Sequence, residues 1–205
     1  MTSNSNYKTR FPRFQSSCEP TDRGLMDPEQ EVIDLCTHVD CPEPEQVIQD
    51  KNYKEMQYSA IQWIETKVDG MDLVCAVEFG LKILLNYAAF NNAEETIVPV
   101  TAPWGATGHL VNGTISQKHE VLLAPQVKSP PAPTDPTVKF KNISDGWYFV
   151  RAIDRKLEEK QYEEHVLEFV KDLEEDNQPF EAGIFSLNFF SRCGLMDMAF
   201  LKASK

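Results

Sequence analysis

Apolar positions along this chain fall into one dense block and several shorter alternating runs. The block is Met71–Phe90, MDLVCAVEFGLKILLNYAAF. Leu73, Val77, Leu81, Leu84 and Ala88 recur in it at three- and four-residue steps, and Val74, Leu85 and Tyr87 widen the apolar surface. That spacing predicts a helix buried on several sides, between a partner helix and a sheet. Asp69-Gly70 interrupts the chain before it, Asp69 or Asp72 is placed to cap it, and Asn91-Asn92 ends it. Its length raises the question of a membrane span. Glu78 and Lys82 answer it, because they form an i, i+4 polar spot in the middle, and Asp72 and Asn86 interrupt the run further. The block reads as a core helix whose one wet edge is Glu78–Lys82.

A helical step also runs upstream. Tyr53, Met56, Ala60, Ile61, Trp63, Ile64 and Val68 recur every three or four residues and predict a helix from about Pro44 to Val68. The short break after it makes the two helices antiparallel neighbours. Downstream the period changes to two. Thr96–Val100 reads as a short strand with Pro99 at an edge or bulge, and Ala102–Gly108 as a loop. Asn112-Gly113 between His109–Val111 and Thr114–Ser116 is a hairpin signal, and Glu120–Ala124 is a further strand. The proline-rich run Pro125–Pro136 reads as an extended loop. Thr137–Ile143 alternates, and Trp147–Ile153 returns as its hairpin partner across Ser144-Asp145-Gly146. Asp154 caps a helix reaching about Asp176, with Tyr162, Val166, Phe169, Val170 and Leu173 as its core stripe. A last hairpin pairs Phe180–Phe190 with Leu195–Ala203.

These elements predict an α+β fold: three main helices packed on a mostly antiparallel sheet of β-hairpins. Residues 44–205 read as a single domain. Residues 1–43 read as an acidic, disordered arm carrying linear motifs, since much of that stretch is rich in Ser, Asn, Thr and Pro.

Charge narrows the partners. The chain carries 32 acidic and 20 basic residues, a net charge of −12. That disfavours nucleic acid and anionic membrane as ligands and favours a protein with a basic groove or sheet edge, with self-association also open. Five irregularly spaced cysteines without a secretory h-region read as free thiols in a reducing compartment, so the expected location is intracellular, nuclear or cytoplasmic. Cys75 reads as an inert core thiol. Asn112-Gly113-Thr114 and Asn142-Ile143-Ser144 match the glycosylation sequon, but without secretion they read as turn and strand residues.

Candidate chemistry is sparse. Cys36-Thr37-His38-Val39-Asp40-Cys41 packs four possible ligands into six residues, but no second pair follows to complete a structural zinc site. Ala102–Gly108 lacks the spacing and the lysine of a phosphate loop. His38, His109, His119 and His165 sit in no nucleophile motif, so neither a catalytic residue, nor a cofactor, nor a metal is expected. The stretch Asp27–Asp40 has two readings. One is a short helix capped by Asp27 with Pro28 in its first turn. The other is a docking strand, in which Val32-Ile33-Asp34-Leu35 resembles the SUMO-interaction motif, an aliphatic core with acids around it. The acid-rich third helix adds Glu163, Glu164 and Asp172 as contacts for a basic partner. The sequence thus points to a non-catalytic intracellular adaptor or scaffold that binds SUMO or a similar sheet edge through Val32, Ile33, Asp34 and Leu35. The alternatives are a viral-type structural protein that self-assembles and a small hydrolase built on His109 or His119.

Overall fold

The structure is a computed structural model that describes residues 45–49, 52–153, 159–190 and 195–203. The described residues form one ten-stranded antiparallel sheet and two helices. In chain order these are β1 (Gln46–Gln49), β2 (Lys54–Tyr58), β3 (Ile61–Asp69), α1 (Leu73–Ala88), β4 (Val100–Val111), β5 (Thr114–Ile115), β6 (Lys118–Pro125), β7 (Val138–Ile143), β8 (Gly146–Ile153), α2 (Glu159–Glu175), β9 (Ile184–Phe190) and β10 (Leu195–Leu201). The sheet order is β1-β2-β8-β10-β9-β4-β6-β3-β7, with the short β5 paired to β4.

This corrects the expectation of three helices. The upstream stretch read as a helix is β1, β2 and β3. The cause is visible in β3, where Trp63 and Ile64 are both buried although adjacent. A strand covered on both faces loses its polar/apolar alternation, and its apolar residues then fall by accident at helical steps. The β-branched and aromatic residues Ile61, Trp63, Ile64, Thr66 and Val68 suit a pleated strand better than a helix. α1 therefore packs mainly on β3, β4, β6 and β7, and its Leu73 and Val77 join the core cluster that lies under α2. The predicted β7–β8 hairpin is also corrected: β7 pairs with β3, and β8 pairs with β2 and β10.

The sheet consists of two like halves. In the first, β3–α1–β4–β6 lies in the order β4-β6-β3, with β7 outside β3. In the second, β8–α2–β9–β10 lies in the order β9-β10-β8, with β2 outside β8. The halves join where β4 pairs with β9. Two short links then force the sheet to curl. β2 and β3 stand six places apart in the order, about 29 Å on a flat sheet. Only Ser59 and Ala60 connect them, and that link spans about 11 Å. Ser144 and Asp145 connect β7 to β8 across the same six places. The sheet must become a trough, with the helices outside and a concave inner face.

Each helix seals its half from outside. On α1, Asp72 Oδ1 accepts the Cys75 N–H at 2.8 Å. Leu73, Ala76, Val77, Leu81, Leu84 and Ala88 are buried, as the spacing predicts. The helix is open on one side, however: Phe79, Lys82 and Asn86 are exposed while Glu78 is half-buried, so the outer stripe is broader than the predicted Glu78–Lys82 edge. Under α2, Tyr162, Val166, Phe169 and Leu173 pack with Phe149, Phe185, Phe200, Met196 and Met198.

His119 on β6 faces the helical layer and is 1% exposed. Its Nε2 donates to the Met71 carbonyl at 3.2 Å, and its Nδ1 is buried without a hydrogen-bond partner. Burial pushes its pKa below the ordinary value; the Met71 carbonyl, Asp72 and Asp69 oppose that, and His109 adds to it. An unfolded chain takes up the proton first, so stability should be constant above about pH 6.5 and fall as pH drops from there toward the lower folded pKa. Denaturant titrations at stepped pH should show this slope in the parent and a reduced slope in His119→Gln, whose amide can still donate to Met71.

Candidate functional site

The concave face of the trough carries a groove. It encloses about 630 Å³, open solvent included, and is lined by Tyr58, Ser59, Ile61, Trp63, Leu122, Ile143, Ser144, Tyr148, Ser186, Asn188 and Ala199. The links that bend the sheet also build this site. Tyr58 and Ser59 come from one end of the sheet order and Ile61, Trp63 and Ile143 from the other, and the crossover at Ser59-Ala60 brings them together. Trp63, Leu122 and Ala124 form a small apolar cluster on this face, with Ile61 and Ile143 against it. Tyr58 and Tyr148 meet edge to face, with centroids 5.8 Å apart and planes at 71°. Ser186, Asn188 and Ala199 come from β9 and β10 at the floor.

The electrostatics keep this groove neutral. Tyr58 donates its O–H to Met56 Sδ at 3.2 Å. Burial, then the nearby Asp197 and Tyr148, push its pKa up to about 12. Burial and Glu181 push Tyr148 up as well. Asp197 is raised by burial, and Lys54 opposes the shift. Farther along the inner face, β3, β6 and β7 carry a charge ladder. Lys67 meets Glu120 at 2.9 Å, and Lys141 meets Glu65 at 3.3 Å and also pairs with Glu120. Burial pushes Glu120 up, but the two lysines outweigh it and its pKa falls. Two carboxylates and two ammonium groups cancel, so the trough has an aromatic, apolar stretch beside a polar, internally neutral one.

The sequence-predicted contacts lie elsewhere. Val32, Ile33, Asp34 and Leu35 fall outside the described residues, as do Cys36–Cys41 of the possible metal cluster. Glu163 accepts the Ile115 N–H at 3.3 Å, and Glu164 pairs with Lys160 along α2 at 3.7 Å. Asp172 holds Arg151, whose guanidinium lies 4.3 Å from the centre of the Phe169 ring. Glu163 and Asp172 thus serve the docking of α2. His109 and His119 do not line the groove, and among the described residues no cluster of His, Cys, Asp and Glu is arranged to hold a metal ion. Cys75 is half-buried and disulfide-bonded, which corrects its reading as an inert thiol. No described helix is long and apolar enough to cross a membrane.

The groove residues that the sequence reading names, Ile61, Trp63, Ile143 and Ser144, appear there as helix, strand or turn positions and not as site residues. The trace they leave is the adjacent burial-prone pair Trp63-Ile64, which implies that both faces of β3 are covered.

Comparison with known proteins places this geometry in context. The pattern of the family described as SOUL heme-binding protein matches residues 39–191. Heme-binding protein 2 of Homo sapiens is 24% identical over 138 residues, covering 65% of this chain and 67% of that protein. Heme-binding protein 2 of Mus musculus is 23% identical over 140 residues, with the same coverage. Among solved structures, the EcmrR C-terminal domain is similar with a TM-score of 0.55 at 6% identity, covering 75% of this chain and 99% of that one. A hydrolase from Listeria innocua is similar at 0.51 and 11% identity, covering 76% and 94%. At these identities the two structures share the fold alone. The family match overturns the SUMO-binding adaptor and the expected protein partner: the ligand class it suggests is haem.

Proposed function

Since the chain belongs to the SOUL heme-binding protein family, we propose that it binds haem or a related tetrapyrrole, reversibly and without covalent attachment, in the groove on the concave face of the sheet. The observation that carries this is the groove's wall of Tyr58, Trp63 and Tyr148 with Ile61, Leu122 and Ile143. Ligand sites are concave, mainly apolar and aromatic, with few polar groups, and a flat macrocycle suits aromatic faces and edges.

The fit is good for the ring and poor for the iron. Protein-held haem iron takes a histidine, thiolate, thioether or phenolate ligand. No histidine or cysteine lines the groove. Its two phenols are held protonated, Tyr58 with a pKa of about 12. The Met56 sulfur already accepts the Tyr58 hydroxyl. Lys67 and Lys141 are answered by Glu65 and Glu120, which leaves little net positive charge for propionates. Bound haem would supply its iron chemistry from outside the groove's own residues, and those residues would hold the ring. The groove's three serines have no histidine beside them, so the reading is one of binding and not catalysis.

Titration with hemin and with metal-free protoporphyrin tests this, with tryptophan quenching and the Soret band as readouts. Saturable 1:1 binding is expected, with affinities for the two within about tenfold, a difference of about 1.4 kcal/mol. A hemin-only interaction, with a Soret band typical of histidine or thiolate ligation, would contradict it.

A further inference from the structure

Two polar side chains on the floor of the groove are uncommitted. Asn188 on β9 and Asp197 on β10 stand directly opposite each other in the antiparallel ladder. Their side chains therefore leave the same face, with Cβ atoms about 5 Å apart. That face is the concave one, because Asn188 lines the groove and so does Ala199, the next inward residue of β10 after Asp197. Both side chains are half-buried, and among the described residues neither has a hydrogen-bond partner. Gly105, opposite Asn188 on its other side, has no side chain to cover the pair. Burial pushes the Asp197 carboxyl above its ordinary value, with Lys54 opposing.

The chemistry of the pair selects an edge. A carboxylate only accepts hydrogen bonds, and a primary amide both donates and accepts. Side by side they match a group whose N–H and C=O also lie side by side, the N–H donating to Asp197 and the C=O accepting from Asn188. A lactam has that edge. The registers place Leu122, Gly105, Asn188 and Asp197 in one row across the floor. Beside the polar end of that row lies an apolar stretch under Trp63, Tyr58 and Tyr148, whose faces and edges suit a conjugated ligand. A closed porphyrin turns its N–H groups to the ring centre, and hemin has none, so neither offers the pair a donor. An open-chain tetrapyrrole ends in lactam rings, and its chain can follow the curve of the trough.

We propose that the groove's preferred ligand is an open-chain tetrapyrrole, held at a terminal lactam by Asn188 and Asp197. The inference rests on the tetrapyrrole reading of the groove and narrows its ligand class. Asp197 accepts the lactam N–H, Asn188 Nδ2 donates to the lactam oxygen, and the rings of Tyr58, Trp63 and Tyr148 hold the conjugated chain. A ligand without the lactam buries the Asp197 carboxylate and gives it no donor, which weakens binding beyond the loss of the bond itself. A ligand without iron also needs none of the axial ligands that the groove lacks.

Biliverdin and protoporphyrin are matched probes: they carry the same methyl, vinyl and propionate groups and differ in the opened ring and its lactams. Titrated into the full chain at one pH and followed by tryptophan quenching, biliverdin should bind tighter by about tenfold or more. That preference should vanish in Asp197→Ala and in Asn188→Ala. Circular dichroism checks that each variant is folded, and either one alone decides. Biliverdin no tighter than protoporphyrin, or a preference that survives both substitutions, would overturn the inference and leave the tetrapyrrole reading standing. Neither probe binding would overturn both. Riboflavin is a flat conjugated ring with a cyclic-amide edge and no pyrroles. Its binding as tightly as biliverdin would show that the pair serves cyclic amides at large, and would overturn the assignment to a tetrapyrrole.

Discussion

Gly105→Ala is expected to destabilise the protein by about 2–3 kcal/mol, lowering Tm by about 5–10 °C for a chain of this size. Gly105 lies on β4 opposite Asn188 of β9, on the seam that joins the two halves. A methyl group there would stand 2.4 Å from the Leu187 carbonyl oxygen and 3.2 Å from Asn188 Oδ1. The obstacle is backbone, so no rotamer change relieves it, and the strands must part. Gly80→Ala should cost less, although its methyl would meet Val121 Cγ2 at 2.5 Å. Alanine recovers about 1 kcal/mol of helix propensity, and α1 can tilt off the sheet. Thermal melts of the two variants should rank them in that order. A Gly105→Ala chain as stable as the parent would show that the β4–β9 seam is looser than described.

The second large effect concerns the groove. Tyr58→Ser with Tyr148→Ser should weaken hemin and protoporphyrin binding by at least about tenfold per ring removed, since burying an aromatic side chain is worth about 1.5–3 kcal/mol. Both side chains are half-buried and lie on the inner face, away from the two large clusters under the helices. The variant should therefore keep most of its stability. Ser186→Trp should block the same site by filling its floor. Binding unchanged in both would move the site out of the trough.

The parts of this fold that the sequence made legible are those whose pattern is local. α1 is readable because Leu73, Val77, Leu81, Leu84 and Ala88 form one face and Asp72 caps it. The β9–β10 hairpin is readable because Phe185 and Leu187 alternate against Met196 and Met198. The Asn112-Gly113 turn is readable from two residues; both adopt positive φ, as such a turn requires. What failed is what depends on distant partners. β3 is covered on both faces, so its own pattern misleads. β7 and β8 sit beside a turn-like Ser144-Asp145 and pair elsewhere, because that link crosses the mouth of the trough. The groove is assembled from seven strands and the two crossover links between Tyr58 and Ala199. No short window of sequence contains enough of it to show a site, whereas Val32-Ile33-Asp34-Leu35 is compact enough to attract notice.

The central claim is that the ligand lies in the trough. Mapping amide chemical shifts of the full chain during a protoporphyrin titration tests it most directly. Perturbations centred on Tyr58, Trp63, Leu122, Ile143, Tyr148 and Asn188, with little change at Phe79, Lys82 and Asn86, are expected. Perturbations centred on the outward face of α1, with the groove residues unmoved, would contradict it.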